Sequence, residues 1–375
     1  MLFAAQFFEK ICAVFFENTI SQGNCTFNSV ESYAYLLFIN NLADYKIVKN
    51  NSIDSVKLLF SITVVIMHGF LLDVRHPSYL TGLLTNGFFI TAVPFYFIVS
   101  GYLFYKTIIK CHVKKWYVHI IRTYLIWSTV YAYTLLNIIQ LTDASPSRKF
   151  YLILRAELTG VVHLWFIPSL ITASLLCYLL RGVIEQKTKV VIVIIALIWL
   201  LGVALNWRLL LIHSLNCFWY KNGFFYGAPM FFLGFIFSRH ETTILSRVVD
   251  FKKWITFSAL LIIAESLITT SVINSLEGAL ANSMDMMMTT PLLSSFVFIG
   301  CMKKPGLRIL NGMERLLSTF IYYSHILFLG LILWFFSAVN MPWSNLTRDM
   351  VITGFALVLI FIIGLVFKNK VRQII

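Results

Sequence analysis

The stretch IDSVKLLFSITVVIMHGF, residues 53–70, decides the architecture. From Val56 to Leu72 it is apolar apart from Lys57, the hydroxyls of Ser61 and Thr63, and the imidazole of His68. A helix crosses a bilayer core with about 20 mainly apolar residues, roughly 17 to 25 being the working range. Nine further runs of this kind follow, at 86–105, 120–141, 163–180, 190–206, 223–237, 254–273, 286–302, 316–336 and 351–367. None alternates with the two-residue period of a barrel strand, and lipid cannot satisfy an open backbone, so each run is read as a helix. The expected fold is all-α, a polytopic membrane protein of about ten transmembrane helices. Composition agrees: 59% of the 375 residues are hydrophobic and 12% charged, with a mean hydropathy of +0.82. Soluble domains carry about 25% charged residues, so a water-soluble enzyme, a coiled coil and a disordered chain are excluded.

The net charge of +14 would point to nucleic acid in a soluble protein. Here the Lys and Arg residues fall between the spans, 23 on the side of the N-terminus and 7 on the other. That asymmetry is the positive-inside pattern, which places both termini in the cytoplasm and leaves no charge to be explained by nucleic acid. The six cysteines, Cys12, Cys25, Cys111, Cys177, Cys217 and Cys301, form no CxxC pair and no cluster with His at metal-ligand spacing, so no metal site is expected. Residues 1–52 fit the span pattern poorly, and an interfacial or disordered extension is expected there. Residues 53–367 form the membrane domain and 368–375 a short basic cytoplasmic tail.

Ionisable groups at membrane depth are costly, so they direct attention to function. Asp54 and Lys57 lie at the inner end of the first span and His68 near its outer half. Eleven residues at about 100° each return close to the same helical face, some ~16 Å further along. Ser61 and Val64 lie on that stripe. A path from the cytosolic mouth toward His68 is one reading; a snorkelling Lys57 and a His68 satisfied by a neighbouring backbone form the other. In VPFYFIVSGY, Pro94, Ser100 and Gly101 interrupt an aromatic run, either opening a pocket or letting helices approach closely. His163 and Trp165 open the fourth span at the outer face, where Trp is also an ordinary interfacial residue. STFIYYSHILFL carries His325 beside Tyr322, Tyr323 and Ser324. Lys106, Lys110, Lys114, Lys115 and Arg122 crowd the loop after the second span, as a solvated positive-inside loop or as a phosphate-binding surface.

These segments together resemble the acyltransferase-3 family of membrane acyltransferases, over about residues 53–367. IDSVKLLFSITVVIMH resembles its opening helix, with a basic residue, ten positions and a histidine; Lys57 stands where the family usually has Arg, keeping the charge without the bidentate fork. FYFIVSGYL, HLWFIPSLI, GAPMFFLGFIFSR and STFIYYSHILFL resemble its later segments in the same order. The resemblance implies transfer of an acyl group, commonly acetyl, from acetyl-CoA or another acyl-CoA to a sugar hydroxyl of a bacterial surface polysaccharide such as O-antigen. It implies the bacterial inner membrane as location, with the bilayer, acyl-CoA and a glycan that can be lipid-linked as partners. Under it, His68 is the catalytic residue, as general base or transient acyl carrier. Lys57, Asp54, Ser100, Lys114, Lys115, Arg122, His163, Trp165, Tyr323 and His325 are expected to bind donor or acceptor, the cations taking the CoA phosphates. A transporter or flippase would share the architecture but would show no dependence on acyl-CoA and would favour an internal repeat, which the sequence lacks. A lipid-binding sensor would leave the Lys57–His68 stripe without a purpose.

Overall fold

The computed structural model describes residues 50–71, 78–135, 140, 145–212, 217–276, 284–338 and 345–375. The expected N-terminal extension lies, up to residue 49, outside the described residues. Among those described there are helices and turns but no strand. In chain order the α-helices are α1 Asn51–Ile66, α2 Tyr79–Leu83, α3 Ala92–Ile109, α4 Val113–Val130, α5 Pro146–Thr159, α6 Phe166–Gln186 and α7 Thr188–Leu211. They continue as α8 Ala228–Arg239, α9 Glu241–Arg247, α10 Phe251–Ser275, α11 Thr290–Lys303, α12 Glu314–Ala338, α13 Asn345–Val366 and α14 Lys368–Ile374.

Among the described residues, seven helical stretches are long and apolar enough to cross a membrane: Asn51–Gly69, Tyr79–Ile109, His163–Gln186, Thr188–Leu211, Phe251–Ser275, Glu314–Phe336 and Thr347–Val366. The described residues of the other three expected spans include the helices α4, α8 and α11. The helix α4 carries Lys114, Lys115 and Arg122 in its apolar run, whereas α8 and α11 are only 12 and 14 residues long. Large apolar side chains such as Val193, Leu197 and Leu200 on α7, and Phe355, Val358 and Ile362 on α13, are exposed. In a multi-pass membrane protein this is the surface that lipid covers.

The chain enters α1 through Asn50, whose side chain caps the Ile53 amide at 3.1 Å and reaches the Cys301 carbonyl at 3.0 Å. The Ser52 hydroxyl bonds to the Lys304 carbonyl, and Ser55 donates to the Leu307 carbonyl at 2.9 Å. Ser52 and Ser55 are buried because they lace the start of α1 to the turn after α11. Asp54 sits in the first turn of α1, where the helix dipole favours a negative charge.

The closest crossing joins α3 to α8. A Cβ placed on Gly101 would lie 1.9 Å from the Phe231 carbonyl oxygen, and one on Gly234 would lie 1.9 Å from the Ile98 carbonyl oxygen. Two backbones therefore touch reciprocally through two glycines, as small-residue crossings in membranes do. Gly101 thus serves a close helix crossing. Around it, α1 packs on α12 and α3, and α12 on α13. Leu58, Tyr124, Trp127, Tyr131, Leu164 and Ile321 join one buried cluster spanning α1, α4, the 162–165 turn and α12.

A histidine-lined cavity as candidate active site

Three helical segments widen into π turns, Met67–Leu71, Leu84–Phe88 and Gly223–Gly227. Each places residues on the wall of one cavity of about 520 Å³: Met67 and His68, Thr85 and Asn86, and Tyr226. Single π turns inside longer helices recur at functional sites because they turn a side chain off the regular helical stripe. Here one of them carries His68.

His68, His163 and His325 line the cavity together. The His163 and His325 rings are 4.5 Å apart between centroids, and the His68 and His325 rings 5.3 Å. His325 lies in the middle of α12 and is fully buried. Its Nδ1 faces the carbonyl oxygens of Ile321 at 3.0 Å and Tyr322 at 2.8 Å. Two acceptors there require the proton on Nδ1, so Nε2 keeps a lone pair. That Nε2 is buried without a hydrogen bond. Among the described residues no group of three or more His, Cys, Asp or Glu is gathered to hold a metal, and the His325 Nδ1 is turned to backbone.

His163 is delivered by a tight turn. At Gly160 φ is +98°, and a Cβ there would meet the Trp165 backbone at 2.2 Å, so only glycine permits this entry into the 162–165 turn. The Tyr322 hydroxyl donates to the His163 carbonyl at 3.3 Å, and the Tyr131 ring packs edge-on to the imidazole at 5.0 Å. Trp165 follows on the wall, its ring 5.4 Å from that of Tyr226.

The rim of the cavity comes from loops far apart in sequence. Lys221 makes a salt bridge to Asp285 at 2.6 Å, and its ammonium stands 5.0 Å from the centre of the Trp165 ring. Tyr220 donates to the same carboxylate at 2.9 Å. Burial, reinforced by Asp285, raises the pKa of the Tyr220 phenol, which keeps it a donor. Asp285 is aimed by Asn206, whose Oδ1 accepts from the Asp285 and Met286 amides, both at 3.0 Å. Arg155 of α5 lines the same wall, its guanidinium 5.5 Å from the centre of the Phe218 ring.

Other sequence-predicted residues lie elsewhere. The cavity wall includes Val64 but neither Lys57 nor Ser61. The Ser61 hydroxyl is buried against the Leu58 carbonyl at 2.8 Å. The cavity therefore takes in the His68 end of the stripe and leaves out its Lys57 end. Tyr96 lines the cavity, and its hydroxyl donates to the Lys57 carbonyl at 2.7 Å. Ser100 is half-buried on α3 beside the Gly101 crossing, away from the cavity wall. Tyr323 is also off the wall: it stacks on Trp127 at 5.4 Å and 11°, while Tyr322 takes the place expected of it. Lys114, Lys115 and Arg122 are exposed on α4. Asp54 and Arg315 are within electrostatic reach of Lys57, and Arg122 and Arg315 of His119, which gathers these charges toward the start of α1, away from His68. Arg315 and His119 were not singled out by the sequence because nothing in it pairs the start of α12 with α4.

The family model for an acyltransferase domain, acyltransferase-3, matches residues 50–366. The chain is a member of the acyltransferase-3 family. Comparisons with curated proteins and with solved structures found no match. This acyltransferase-3 protein is thus a multi-pass membrane acyltransferase, and the matched region contains all three cavity histidines, the Gly101–Gly234 crossing and the cationic group around Lys57.

Proposed function

We propose that the protein transfers an acetyl group from acetyl-CoA to a sugar hydroxyl of a bacterial surface polysaccharide, within the cytoplasmic membrane. The observation that carries this reading is the convergence of His68, His163 and His325 on one cavity beside the aromatic faces of Trp165 and Tyr226. Aromatic faces suit the apolar side of a sugar ring, and neutral imidazoles suit proton removal from its hydroxyl.

In this mechanism a sugar hydroxyl gives its proton to His68. The alkoxide attacks the thioester carbonyl, the C–S bond breaks, and the leaving thiolate takes the proton from the His68 imidazolium. The products are the sugar ester and free CoA thiol. His325, with its Nε2 lone pair fixed as an acceptor, orients the His68 ring or the incoming hydroxyl. Lys57, Arg122 and Arg315, with Lys114 and Lys115 on the same side, attract the phosphates of CoA at the cytoplasmic end. The thioester then reaches His68 past Tyr96.

The test is the acetyl content of the host's surface polysaccharide, by mass spectrometry and proton NMR, with the protein present, absent and carrying His68→Ala. Acetyl that requires intact His68 is the expected result. An identical glycan in all three, with the protein confirmed in the membrane, overturns the reading.

A further inference from the structure

The cavity holds more hydrogen-bond donors than it can use. Asp285 is the carboxylate on its described wall, and it is already engaged by the Lys221 ammonium at 2.6 Å and the Tyr220 hydroxyl at 2.9 Å. The Arg155 guanidinium, half-buried on the same wall, has no carboxylate within 4.0 Å among the described residues and rests against the Phe218 ring. Asn86 is 1% exposed, and its Nδ2 amide is buried on the wall without an acceptor. A cation and a buried donor that the described residues leave without hydrogen-bonding or ionic partners together suit a ligand rich in acceptors and negatively charged.

The helix that carries Arg155 also fixes its depth. On α5, Phe150, Leu154 and Leu158 form one stripe and are 68%, 43% and 53% exposed, with Tyr151 beside them at 59%. Arg148 and Lys149 flank the start of that helix. An amphipathic helix with an uncovered apolar stripe and basic flanks lies in the membrane interface. Arg155 stands about 100° round the helix from Leu154, on the side of the cavity. Its guanidinium is thus held where the headgroup layer meets the cavity mouth, with a planar fork suited to phosphate or carboxylate.

We propose that Arg155, assisted by Asn86, binds an anionic group of the acceptor and so restricts this acyltransferase to acidic acceptors. The group is either the phosphate of a lipid carrier on which the glycan is presented or a carboxylate of the glycan itself. The inference rests on the proposed acyl transfer and adds the charge class of the acceptor.

The experiment uses the full-length protein in phosphatidylcholine nanodiscs with acetyl-CoA. Three forms of the host's envelope glycan serve as acceptors: attached to its lipid phosphate carrier, released from it by mild acid, and released with its carboxyl groups reduced. Wild-type, Arg155→Gln and Arg155→Lys proteins are compared by kcat and KM. The expected result is that Arg155→Gln raises KM for the preferred acceptor about 10- to 100-fold, with kcat changed less than about threefold, and that Arg155→Lys restores part of it. Loss of preference on release from the carrier identifies the phosphate; loss only on carboxyl reduction identifies the sugar acid. Equal transfer to all three forms with KM unchanged in Arg155→Gln overturns the inference while leaving acyl transfer standing. A wild-type protein inactive on every form overturns the acyl-transfer reading, and this inference with it.

Discussion

Tyr96 donates its hydroxyl to the backbone carbonyl of Lys57 at 2.7 Å, and by this bond an aromatic ring of α3 is fastened between the cationic end of α1 and the cavity that holds His68. One side chain thus touches both the backbone of Lys57 and the cavity that His68 lines.

Removing that side chain should uncouple the two ends. In Tyr96→Ala, water should reach a thioester that now enters freely, so thiol release from acetyl-CoA without glycan should rise severalfold while glycan acetylation falls. Tyr96→Phe keeps the ring and loses one hydrogen bond, at a cost of about 1 kcal/mol, and should stay close to wild type. Assay of free thiol against acetylated glycan distinguishes them; a Tyr96→Ala protein as tightly coupled as wild type would refute the role given to the ring.

His325 offers a separation of two functions within one ring. In His325→Asn the side-chain amide can still donate to the Ile321 and Tyr322 carbonyls, replacing Nδ1, but nothing replaces Nε2. Thermal stability in detergent should change by only a few degrees while transfer drops by about 10²- to 10⁴-fold. Retention of full activity would show that the Nε2 lone pair has no part in the reaction.

The crossing of α3 and α8 leaves no room for a methyl group. Gly101→Ala and Gly234→Ala each press a carbon against a backbone carbonyl at 1.9 Å, which no side-chain rotation relieves. Each should cost about 1–3 kcal/mol, seen as a lower midpoint in thermal unfolding and less protein in the membrane. Ser100→Ala, one residue away but outside the contact, should be neutral in both measurements.

Cys111 and Cys217, both exposed, lie at the two opposite ends of the helices. With Cys12 and Cys25 replaced, a membrane-impermeant maleimide applied to intact spheroplasts should label Cys217 and spare Cys111 until the membrane is opened. Although Cys217 is open to solvent, the protein around it removes part of its hydration and, with the nearby Asp285 carboxylate, raises its thiol pKa, so less of it is thiolate at neutral pH, and its labelling rate should keep rising beyond the ordinary thiol pKa of about 8.5. Labelling of Cys111 alone from outside would invert the assigned orientation.

Much of this was readable from residues 53–70 and the runs after them, because a bilayer allows so few backbone solutions that hydropathy alone names the helices. His68, His163, His325 and Trp165 were found for the same reason: polar or interfacial groups stand out in an apolar run. Tyr322 and Tyr323 could not be told apart, since neighbours on a helix point about 100° apart and only the packing of α12 shows which one faces the cavity. Asn86, Arg155, Lys221 and Asp285 were invisible as a group, because they come from a π turn, a helix and two loops far apart in sequence, and tertiary proximity has no period. Helical spacing puts Val64 and His68 on one stripe with Lys57, and both line the cavity, but spacing along one helix has no signal for where that cavity ends.

Those π turns have an evolutionary consequence. Each holds one residue more than the α turn that could replace it, so deletion of a single residue at Met67–Leu71, Leu84–Phe88 or Gly223–Gly227 would restore regular winding locally and leave the adjoining helices α1, α3 and α8 in place. The cavity wall can thus be rewritten one residue at a time, at three independent places, without redesigning the scaffold that lipid holds in place. A membrane enzyme built this way can change the shape of its acceptor while keeping the same histidines.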